Sequence, residues 1–359
     1  MPASVPAVRR PASLSSQIGL SDKIFASGED KELAAAVDAG LALVEDGLHA
    51  EMRFADNLAD VTARYLLEAG GKRVRPMLTL LTAQLGRGNT PEVLSSAEAI
   101  EITHLASLYH DDVMDEAQMR RGVPSAQTVW GNSVAVLTGD LLFARASKMV
   151  AALGERAINL QADTFERLCL GQLHETIGPQ NGEDPIQHYI QVLADKTGSL
   201  IAAAAQMGVV FSKAPAEYEQ PVVTFGEKIG VAFQLIDDVI DLSAEGVKET
   251  GKTPGNDLRA GVATLPLLRL REAAETDADA RELLERLERD VIGTVDDGAI
   301  TPQATAAIAA LRDHDVTRQT LEEAHQWARE AVEALAPLPK GPVKKALTRF
   351  ADTIVERSS

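Results

Sequence analysis

The sequence predicts an all-α fold, built as a single helical domain of roughly ten or more helices. Over most of the 359 residues, apolar side chains recur at the three- and four-residue spacing of an amphipathic helix. Aromatic residues make up only 4% of the chain, and no segment alternates apolar and polar residues as a half-buried strand would. These observations favour helices and argue against a sheet-based core.

Short glycine and proline breaks separate the predicted helices. Gly70-Gly71 interrupts the pattern early, Gly122-Val123-Pro124 follows a long helix, and a polar, Gly-rich loop covers 243–261. Helical patterns alternate with short breaks from 263 to 357, so we expect one helical domain over 26–359. The segments with helical periodicity before the long loop are 32–54, 57–67, 73–85, 92–115, 133–153, 157–177, 186–193, 199–211 and 217–242.

The composition excludes several classes of protein. A net charge of −18 argues against a nucleic-acid partner, which requires a basic surface. Cys169 is the only cysteine, so no intrachain disulfide or cysteine zinc site can form, which favours a cytoplasmic location. No apolar run reaches the length of a transmembrane helix. Residues 1–25 open with a Pro- and Ser-rich stretch without the apolar core of a signal peptide, and we expect a disordered tail.

A five-residue pattern of aspartates occurs twice, each time at the end of a long apolar helix. The first copy is Asp111-Asp112-Val113-Met114-Asp115 and the second is Asp237-Asp238-Val239-Ile240-Asp241. Aspartates four positions apart lie on one helix face, where like charges repel and the helix dipole disfavours anions. Such an arrangement costs stability unless cations compensate it. Oxygen ligands without His or Cys suit Mg²⁺ shared with substrate phosphates.

Basic residues accompany both aspartate clusters in this otherwise acidic chain. The segment 70–76, GGKRVRP, places three cations beside two glycines at a helix start, where backbone N–H groups also favour phosphate. Arg120 and Arg121 follow the first cluster, Lys196 precedes a helix at Ser199, and Lys252 follows the second cluster. Arginine suits phosphate oxygens because its planar fork binds two of them. Each residue alone is typical of a solvated surface, but together they predict a diphosphate site.

The motifs in chain order resemble the trans-polyprenyl diphosphate synthases (the polyprenyl synthetase family). They are GGKRVRP, HLASLYHDDVMDEAQMRRGVPS, KTGSL, FQLIDDVIDL and GKTPGNDLRAGVATLPLL, and they cover residues 70–268 densely. The resemblance implies the isoprenoid synthase fold, with helices around a deep central cavity, and a homodimer. It also implies head-to-tail condensation of an allylic diphosphate with isopentenyl diphosphate, with release of pyrophosphate.

The resemblance assigns roles to individual residues. Mg²⁺, three ions per active site and replaceable by Mn²⁺, would be held by Asp111, Asp115, Asp237 and Asp241. The catalytic set is completed by Asp112, Asp238, Lys196 and Lys252. The allylic diphosphate would be contacted by Arg120, Lys196, Thr197, Gln234 and Lys252. The isopentenyl diphosphate would be held by Gly71, Lys72, Arg75, His104 and Arg121. No side chain is an obvious general base, and the family points to pyrophosphate itself.

His104 and the residues after it are also placed by helix geometry. A lone His on an apolar helix is usually a core residue, but His104 lies seven positions before Asp111 and therefore on the same face. Ala106 and Ser107 occupy the positions that form the floor of the elongation cavity in the family. Because both are small, the resemblance implies a long-chain product, octa- to decaprenyl, for a quinone side chain; a farnesyl or geranylgeranyl product is the alternative.

Three other functions have less support from the sequence. A class I terpene cyclase or a head-to-head synthase would not require GGKRVRP, and a non-catalytic partner subunit would usually lack one of the aspartate clusters. One position departs from the family pattern: Val262 occupies the place of a second lysine found in many relatives. We expect weaker binding of the allylic diphosphate there, with activity retained.

Overall fold

The computed structural model describes residues 27–243, 254–294 and 300–357. Within these ranges the regular structure is helical apart from one short ladder, which confirms the predicted all-α class. The α-helices are α1 (Gly28–Glu51), α2 (Asn57–Glu68), α3 (Val74–Ala83), α4 (Pro91–Met114), α5 (Ala126–Trp130), α6 (Asn132–Leu153), α7 (Glu155–Ile177), α8 (Pro185–Leu193), α9 (Ser199–Phe211), α10 (Glu219–Asp241), α11 (Asn256–Arg259), α12 (Leu265–Ala274), α13 (Ala278–Asp290), α14 (Pro302–Asp313), α15 (Asp315–Ala334) and α16 (Pro342–Glu356). A π-helical turn spans Ala194–Gly198, and a 3₁₀ turn spans Ala216–Tyr218.

The short ladder joins β1 (Met119–Arg120) to β2 (Val123–Pro124) in an antiparallel pair. The expectation of no strands was therefore wrong at this one place. Two residues per strand are too few to produce a detectable alternation, which explains the difference. Arg121 and Gly122, both at positive φ, form the turn.

Threonine or aspartate followed by proline begins three of the helices. The side chains of Thr90, Asp184 and Thr301 each accept a hydrogen bond from a backbone N–H in the first turn of α4, α8 and α14. Proline follows at the first helical position, where its missing N–H costs nothing. Local sequence thus sets where these helices begin.

The chain divides into two compact units, each assembled from three segments. Unit 1 contains residues up to Glu166 together with Ser199–Gly226 and Ala334–Phe350, and unit 2 contains Arg167–Gly198, Glu227–Glu333 and the residues from Ala351 onward. In unit 1, helix α4 packs against α1, α3, α6 and α9. Thr79 and Thr82 of α3 donate to the carbonyls of Ala204 and Ala205 at 2.9 Å, so α3 and α9 are joined by hydrogen bonds as well as apolar contact.

Unit 2 has a core of its own. Helix α12 packs against α8 and α13, and α13 packs against α14. Helix α13, with Asp277 as its N-cap, is rich in acids and arginines and buries one apolar stripe. The core residues are Leu242, Leu258, Leu267, Leu270, Ala274, Ala280, Leu283, Leu287, Val291, Ala304, Ala307, Ile308, Leu311 and Val316.

Some predictions fall outside what the structure describes or tests. The predicted tail over 1–25 and the predicted ligand Lys252 lie outside the described residues. The single-domain assignment for 26–359 and the deep central cavity remain predictions. No helix in the described part of the chain is both long and apolar enough to cross a bilayer.

Candidate active site

The first aspartate cluster ends helix α4 in unit 1. Asp111 and Asp112 lie in the last turn and Asp115 is the C-cap, whose N–H donates to the Asp111 carbonyl at 2.8 Å. Asp111 is half-buried and Asp115 is exposed, whereas Asp112 is fully buried. No basic residue of the helix itself lies in that last turn to offset the helix dipole. The predicted one-turn separation of Asp111 and Asp115 is confirmed.

Asp112 is held by a cation of the chain itself. The Nε of Arg120 donates to its Oδ1 at 2.6 Å, and the β1–β2 turn presents the arginine for this contact. Burial raises the pKa of Asp112, and Arg120 offsets part of that effect. Its other oxygen, Oδ2, is buried without a hydrogen-bond partner. A buried acceptor of this kind is costly unless a ligand satisfies it.

A group of arginines surrounds His104 in unit 1. Burial lowers the pKa of His104 well below its usual value, and Arg75, Arg121 and other neighbouring arginines lower it further. Burial also lowers the pKa of Arg75, and it lowers that of Arg121 to about 10. The Nε of Arg75 is buried with no hydrogen-bond partner. We infer an unmet demand for an anion at this place.

Arg73 plays a different part from its neighbours in the GGKRVRP segment. It is buried at 3% exposure, its Nε donates to Glu45 at 2.8 Å, and it pairs with Glu101 at 3.3 Å. Its charge is therefore compensated by two carboxylates. Of the three cations in GGKRVRP, Arg73 is thus a poor candidate for a diphosphate ligand. Gly71 has φ +155°, and a Cβ there would lie 2.6 Å from Arg73 Nη1 and 3.0 Å from Arg121 Nη2, so a glycine is needed.

The remaining unit 1 candidates lie beside this group. Lys72 is exposed. Arg121 donates to the carbonyls of Leu66 and Gly70, which ties the β1–β2 turn to the end of α2. Ser107 is buried and its hydroxyl donates to the His104 carbonyl at 2.8 Å, while Ala106 is fully buried.

The second aspartate cluster ends helix α10 in unit 2. Asp237 and Asp241 are half-buried, and Asp238 is buried at 5% exposure. The hydroxyl of Tyr189 donates to Asp238 Oδ2 at 2.7 Å, and the Leu265 N–H approaches the same oxygen at 3.4 Å. Burial raises the pKa of Asp238 well above its usual value, with added contributions from Asp257 and Asp237. Among the described residues of unit 2, both groups that hydrogen-bond to this carboxylate are neutral.

The two outer aspartates of the second cluster contact other parts of unit 2. Arg357, near the C-terminus, places Nη1 3.0 Å from Asp237 Oδ1 and stacks over Phe233. Asp241 accepts the Asp257 N–H on its carboxylate at 3.1 Å and the Gly255 N–H on its carbonyl at 2.7 Å. The segment that resumes at residue 254 is thereby fixed to the end of α10.

Lys196 and Thr197 lie in the π-helical turn between α8 and α9. Turns of this type occur often at functional sites because they redirect side chains within a helix. Lys196 forms an ion pair with Glu175, and both Lys196 and Thr197 are half-buried. Asp195 of the same turn is held by Arg167 at 2.9 Å, which orders the turn. Gln234 is half-buried on α10, one turn before Asp237.

Comparisons with known proteins decide the family. The model of the polyprenyl synthetase family matches residues 56–296. A nonaprenyl diphosphate synthase of Mycobacterium tuberculosis is 43% identical over 98% of this chain and 99% of its own length. The chain belongs to the polyprenyl synthetase family.

Solved structures of the family agree with this assignment. A decaprenyl diphosphate synthase from Rhodobacter capsulatus matches with a TM-score of 0.79 and 32% identity, covering 92% of this chain and 99% of that one. A geranylgeranyl pyrophosphate synthase from Corynebacterium glutamicum, complexed with calcium and isoprenyl diphosphate, matches with a TM-score of 0.78 and 37% identity, covering 91% and 98%. The family predicted from the sequence is confirmed.

The donor sets fit a hard divalent cation. No group of three or more His, Cys, Asp or Glu side chains in the described part of this polyprenyl synthetase could hold a metal alone. Each cluster instead supplies a pair of carboxylates one turn apart, and Asp112 adds a buried acceptor. Mg²⁺ is commonly bound by one or two carboxylates together with substrate phosphates and water. This arrangement therefore suits an ion completed by diphosphate.

Three functional candidates were missed by sequence reasoning. Tyr189 and Glu175 contact predicted site residues in unit 2, and Arg357 contacts Asp237 from a position far along the chain. None lies in a recognisable motif. Tyr189 precedes Lys196 by seven positions, on a helix that also carries Gln187, His188 and Gln191, so no local pattern distinguished it.

Proposed function

We propose that this chain is a Mg²⁺-dependent polyprenyl diphosphate synthase, condensing an allylic diphosphate with isopentenyl diphosphate and releasing pyrophosphate. The observation that carries the proposal is the unit 1 group of Arg75 and Arg121 around a neutral His104, joined through Arg120 to the first aspartate cluster. A cationic group beside a carboxylate pair is what a metal-bound diphosphate requires.

Five residues of unit 1, Gly71, Lys72, Arg75, His104 and Arg121, are proposed to bind isopentenyl diphosphate. Arg75 and Arg121 would neutralise its charge, because their own charges are compensated only in part. Lys72 and the Gly71 backbone would add donors at the exposed edge. His104, kept neutral by burial and by the arginines, would donate a hydrogen bond without adding charge. Asp111 and Asp115 would hold Mg²⁺ at the end of α4.

The residues of unit 2 are proposed to bind the allylic diphosphate. Lys196 would exchange Glu175 for phosphate oxygens, with Thr197 and Gln234 as further donors. Asp237 and Asp241 would hold Mg²⁺, three ions in total per active site, and the same ligands would accept Mn²⁺. Bound there, the metal would stabilise the negative charge that builds on the departing pyrophosphate.

Proton removal is proposed to use the departing pyrophosphate. His104 is a poor base because its pKa is lowered well below the usual value. Glu101 also lies by the arginines, but it is buried and paired with Arg73. Catalysis would therefore depend mainly on preorganised charged residues that stabilise the charge developing in the transition state.

A long-chain product, octa- to decaprenyl, is supported by two relatives. Both the nonaprenyl synthase and the decaprenyl synthase match nearly the whole chain. The geranylgeranyl synthase neighbour supports the short-chain alternative. Helix α4 at Ala106 lies close to α6, since a Cβ at Gly139 would come 3.1 Å from the Ala106 carbonyl. Ser107 is therefore the better position for a length test, because a larger residue at 106 would disturb the helix packing.

Product analysis tests the function and the length together. The purified chain is incubated with Mg²⁺ and radiolabelled isopentenyl diphosphate, with dimethylallyl diphosphate and farnesyl diphosphate as primers in separate reactions, and the products are separated by chain length. We expect pyrophosphate release with octa- to decaprenyl products, and shorter products from Ser107→Phe. A dominant fifteen- or twenty-carbon product would contradict the long-chain proposal. No pyrophosphate release would favour the partner-subunit function instead.

We also propose a cytoplasmic homodimer. Exposed apolar side chains support a second copy as the partner: Val136 and Leu137 on α6 of unit 1, and Leu170, Leu173 and Ile177 along one face of α7 in unit 2. Surfaces of this kind usually mark association. Light scattering after size exclusion should give twice the 38.3 kDa chain mass, and Leu137→Glu should shift it to the monomer. A monomeric wild-type chain would contradict the proposal.

A further inference from the structure

Three elements of unit 2 meet at one buried carboxylate. Asp238, near the end of α10, accepts the Tyr189 hydroxyl from α8 at 2.7 Å on Oδ2. The same oxygen faces the N–H of Leu265, the first residue of α12, at 3.4 Å. Asp238 is buried at 5% exposure, so water contributes little to holding it.

Asp238 also fills a capping position that local sequence leaves open. Thr264 is the N-cap of α12, yet its side chain makes no capping hydrogen bond. The carboxylate of Asp238 takes that place from another helix, where the helix dipole favours an anion. Its orientation is therefore fixed by one hydroxyl and one backbone N–H.

Two of the three joined elements carry or adjoin residues of the proposed allylic site. Helix α8 continues directly into the π-helical turn with Lys196 and Thr197. Helix α10 carries Asp237 and Asp241 on either side of Asp238. The Tyr189 hydroxyl thus links α8, the helix that leads into the cationic turn, to the aspartate cluster.

A merely structural bond is the simpler explanation, but two observations weigh against it. Both donors to Asp238 are neutral, so a buried carboxylate is retained where an amide would accept the same bonds at lower cost. In addition, the link lies next to two proposed metal ligands rather than elsewhere in the unit 2 core.

We propose that Tyr189 is a positioning residue of the second aspartate cluster: its hydroxyl fixes the Asp238 carboxylate, and thereby the metal-binding geometry of α10 beside the Lys196–Thr197 turn. The inference rests on the proposed function. Residues that orient metal-binding groups without touching the metal commonly change metal affinity about 10- to 100-fold when they are replaced.

Metal binding without turnover tests this inference. The melting temperature of the full chain is followed while Mg²⁺ is titrated in the presence of inorganic pyrophosphate. We expect Tyr189→Phe to raise the half-saturating Mg²⁺ concentration about tenfold, with the ligand-free melting temperature within about 4 °C of wild type. Tyr218→Phe, the same substitution in the 3₁₀ turn at 216–218, is the matched control and should leave the titration unchanged.

A double-mutant cycle separates positioning from a general structural effect. Asp238→Asn alone should raise the half-saturating Mg²⁺ concentration at least as much as Tyr189→Phe. In the Asp238→Asn background, Tyr189→Phe should have little further effect, because both act through one carboxylate. Full additivity of the two changes, or an unchanged titration in either single variant, would overturn the inference.

The Mg²⁺ titration distinguishes failure of the proposed function from failure of the positioning role of Tyr189. If the wild-type chain shows no Mg²⁺-dependent response to pyrophosphate, the proposed function fails. If wild type responds and Tyr189→Phe responds at the same Mg²⁺ concentration, only the positioning role fails. If Tyr189→Phe does not fold, the Asp238→Asn titration is decisive. An unchanged half-saturating Mg²⁺ concentration in Asp238→Asn contradicts the role given to Asp238.

Discussion

The two aspartate clusters share one sequence pattern but differ in what compensates them. In the first, Arg120 pairs with the middle residue Asp112. In the second, the chain's arginine pairs with an outer aspartate, Asp237, while the middle residue is held by neutral donors.

The difference teaches that a motif specifies ligand type but not the electrostatics around it. Burial raises the pKa of both middle residues, but Arg120 opposes the effect at Asp112, whereas at Asp238 the opposing hydrogen bonds come from the neutral Tyr189 and Leu265. At the second cluster, metal binding must also compete with Arg357 for Asp237. We therefore expect the clusters to respond differently to matched substitutions.

Removing one proposed ligand from each cluster has the largest expected effect. Asp111→Ala and Asp237→Ala should each lower kcat/KM by about a thousandfold. Each substitution weakens a metal site, and bound metal stabilises the charge that develops in the transition state by several kcal/mol. Steady-state pyrophosphate release measures this. Asp163→Ala, an exposed aspartate on α7, is the control. A loss at one cluster only would show that the other is not a metal site.

Substitution of the two middle aspartates, Asp112 and Asp238, should change the free energy of unfolding by different amounts. Asp112→Asn leaves Arg120 without its carboxylate and should lower the free energy of unfolding by roughly 1–3 kcal/mol, less than for a fully buried pair because Arg120 is partly exposed. Asp238→Asn keeps its neutral donors and should cost under about 1 kcal/mol. Urea unfolding in EDTA measures both.

The matched control for that comparison is the Asp112→Asn/Arg120→Gln double variant. It should recover part of the loss, because no charge is then left unpaired. An equal or greater loss in Asp238→Asn would contradict the difference between the clusters.

Glu98 gives a reference for a carboxyl whose pKa is set by burial and by a second carboxylate. Burial, with Glu51 nearby, raises its pKa to about 7 from 4.5. The folded state binds the Glu98 proton more tightly than the unfolded state does. The contribution of Glu98 to the free energy of unfolding is therefore fully present below pH 4.5 and is lost as the pH rises through 7. Glu98→Gln should therefore be more stable than wild type at pH 8, by about 1 kcal/mol after allowance for partial exposure. Unchanged pH dependence in the variant would contradict this.

The smallest expected effect concerns the competition at Asp237. Arg357→Gln removes a partly exposed ion pair, so the affinity for Mg²⁺ alone should rise about threefold. Calorimetric titration of Mg²⁺ without diphosphate measures it. Arg289→Gln, which removes an exposed arginine paired with Asp290 on α13, is the control. A lower affinity in Arg357→Gln would show that Arg357 supports the site instead of competing for it.

The sequence was sufficient for the fold class, the family and the order of the helices. Apolar spacing follows from burying one face of each helix, and the Thr-Pro and Asp-Pro starts have local causes. The placement of Asp111 and Asp115 one turn apart also follows from helix geometry alone.

The sequence was not sufficient for the partners of these residues. Arg73 and Arg75 are two positions apart, yet Arg73 is compensated by Glu45 and Glu101, whereas Arg75 keeps a buried Nε without a partner. The contacts of Tyr189 and Arg357 with the second cluster join residues distant in sequence. Such contacts depend on tertiary packing, which no local pattern encodes.

Binding of Mn²⁺ tests the central claim most directly. Free Mn²⁺ is measured by electron paramagnetic resonance as the full chain is titrated, with and without inorganic pyrophosphate. We predict tight uptake that depends on pyrophosphate, approaching three ions per chain, and a reduced number in both Asp111→Ala and Asp237→Ala. Uptake that is absent, or unaffected by both substitutions, would contradict the assignment of the two aspartate clusters as diphosphate-dependent metal sites.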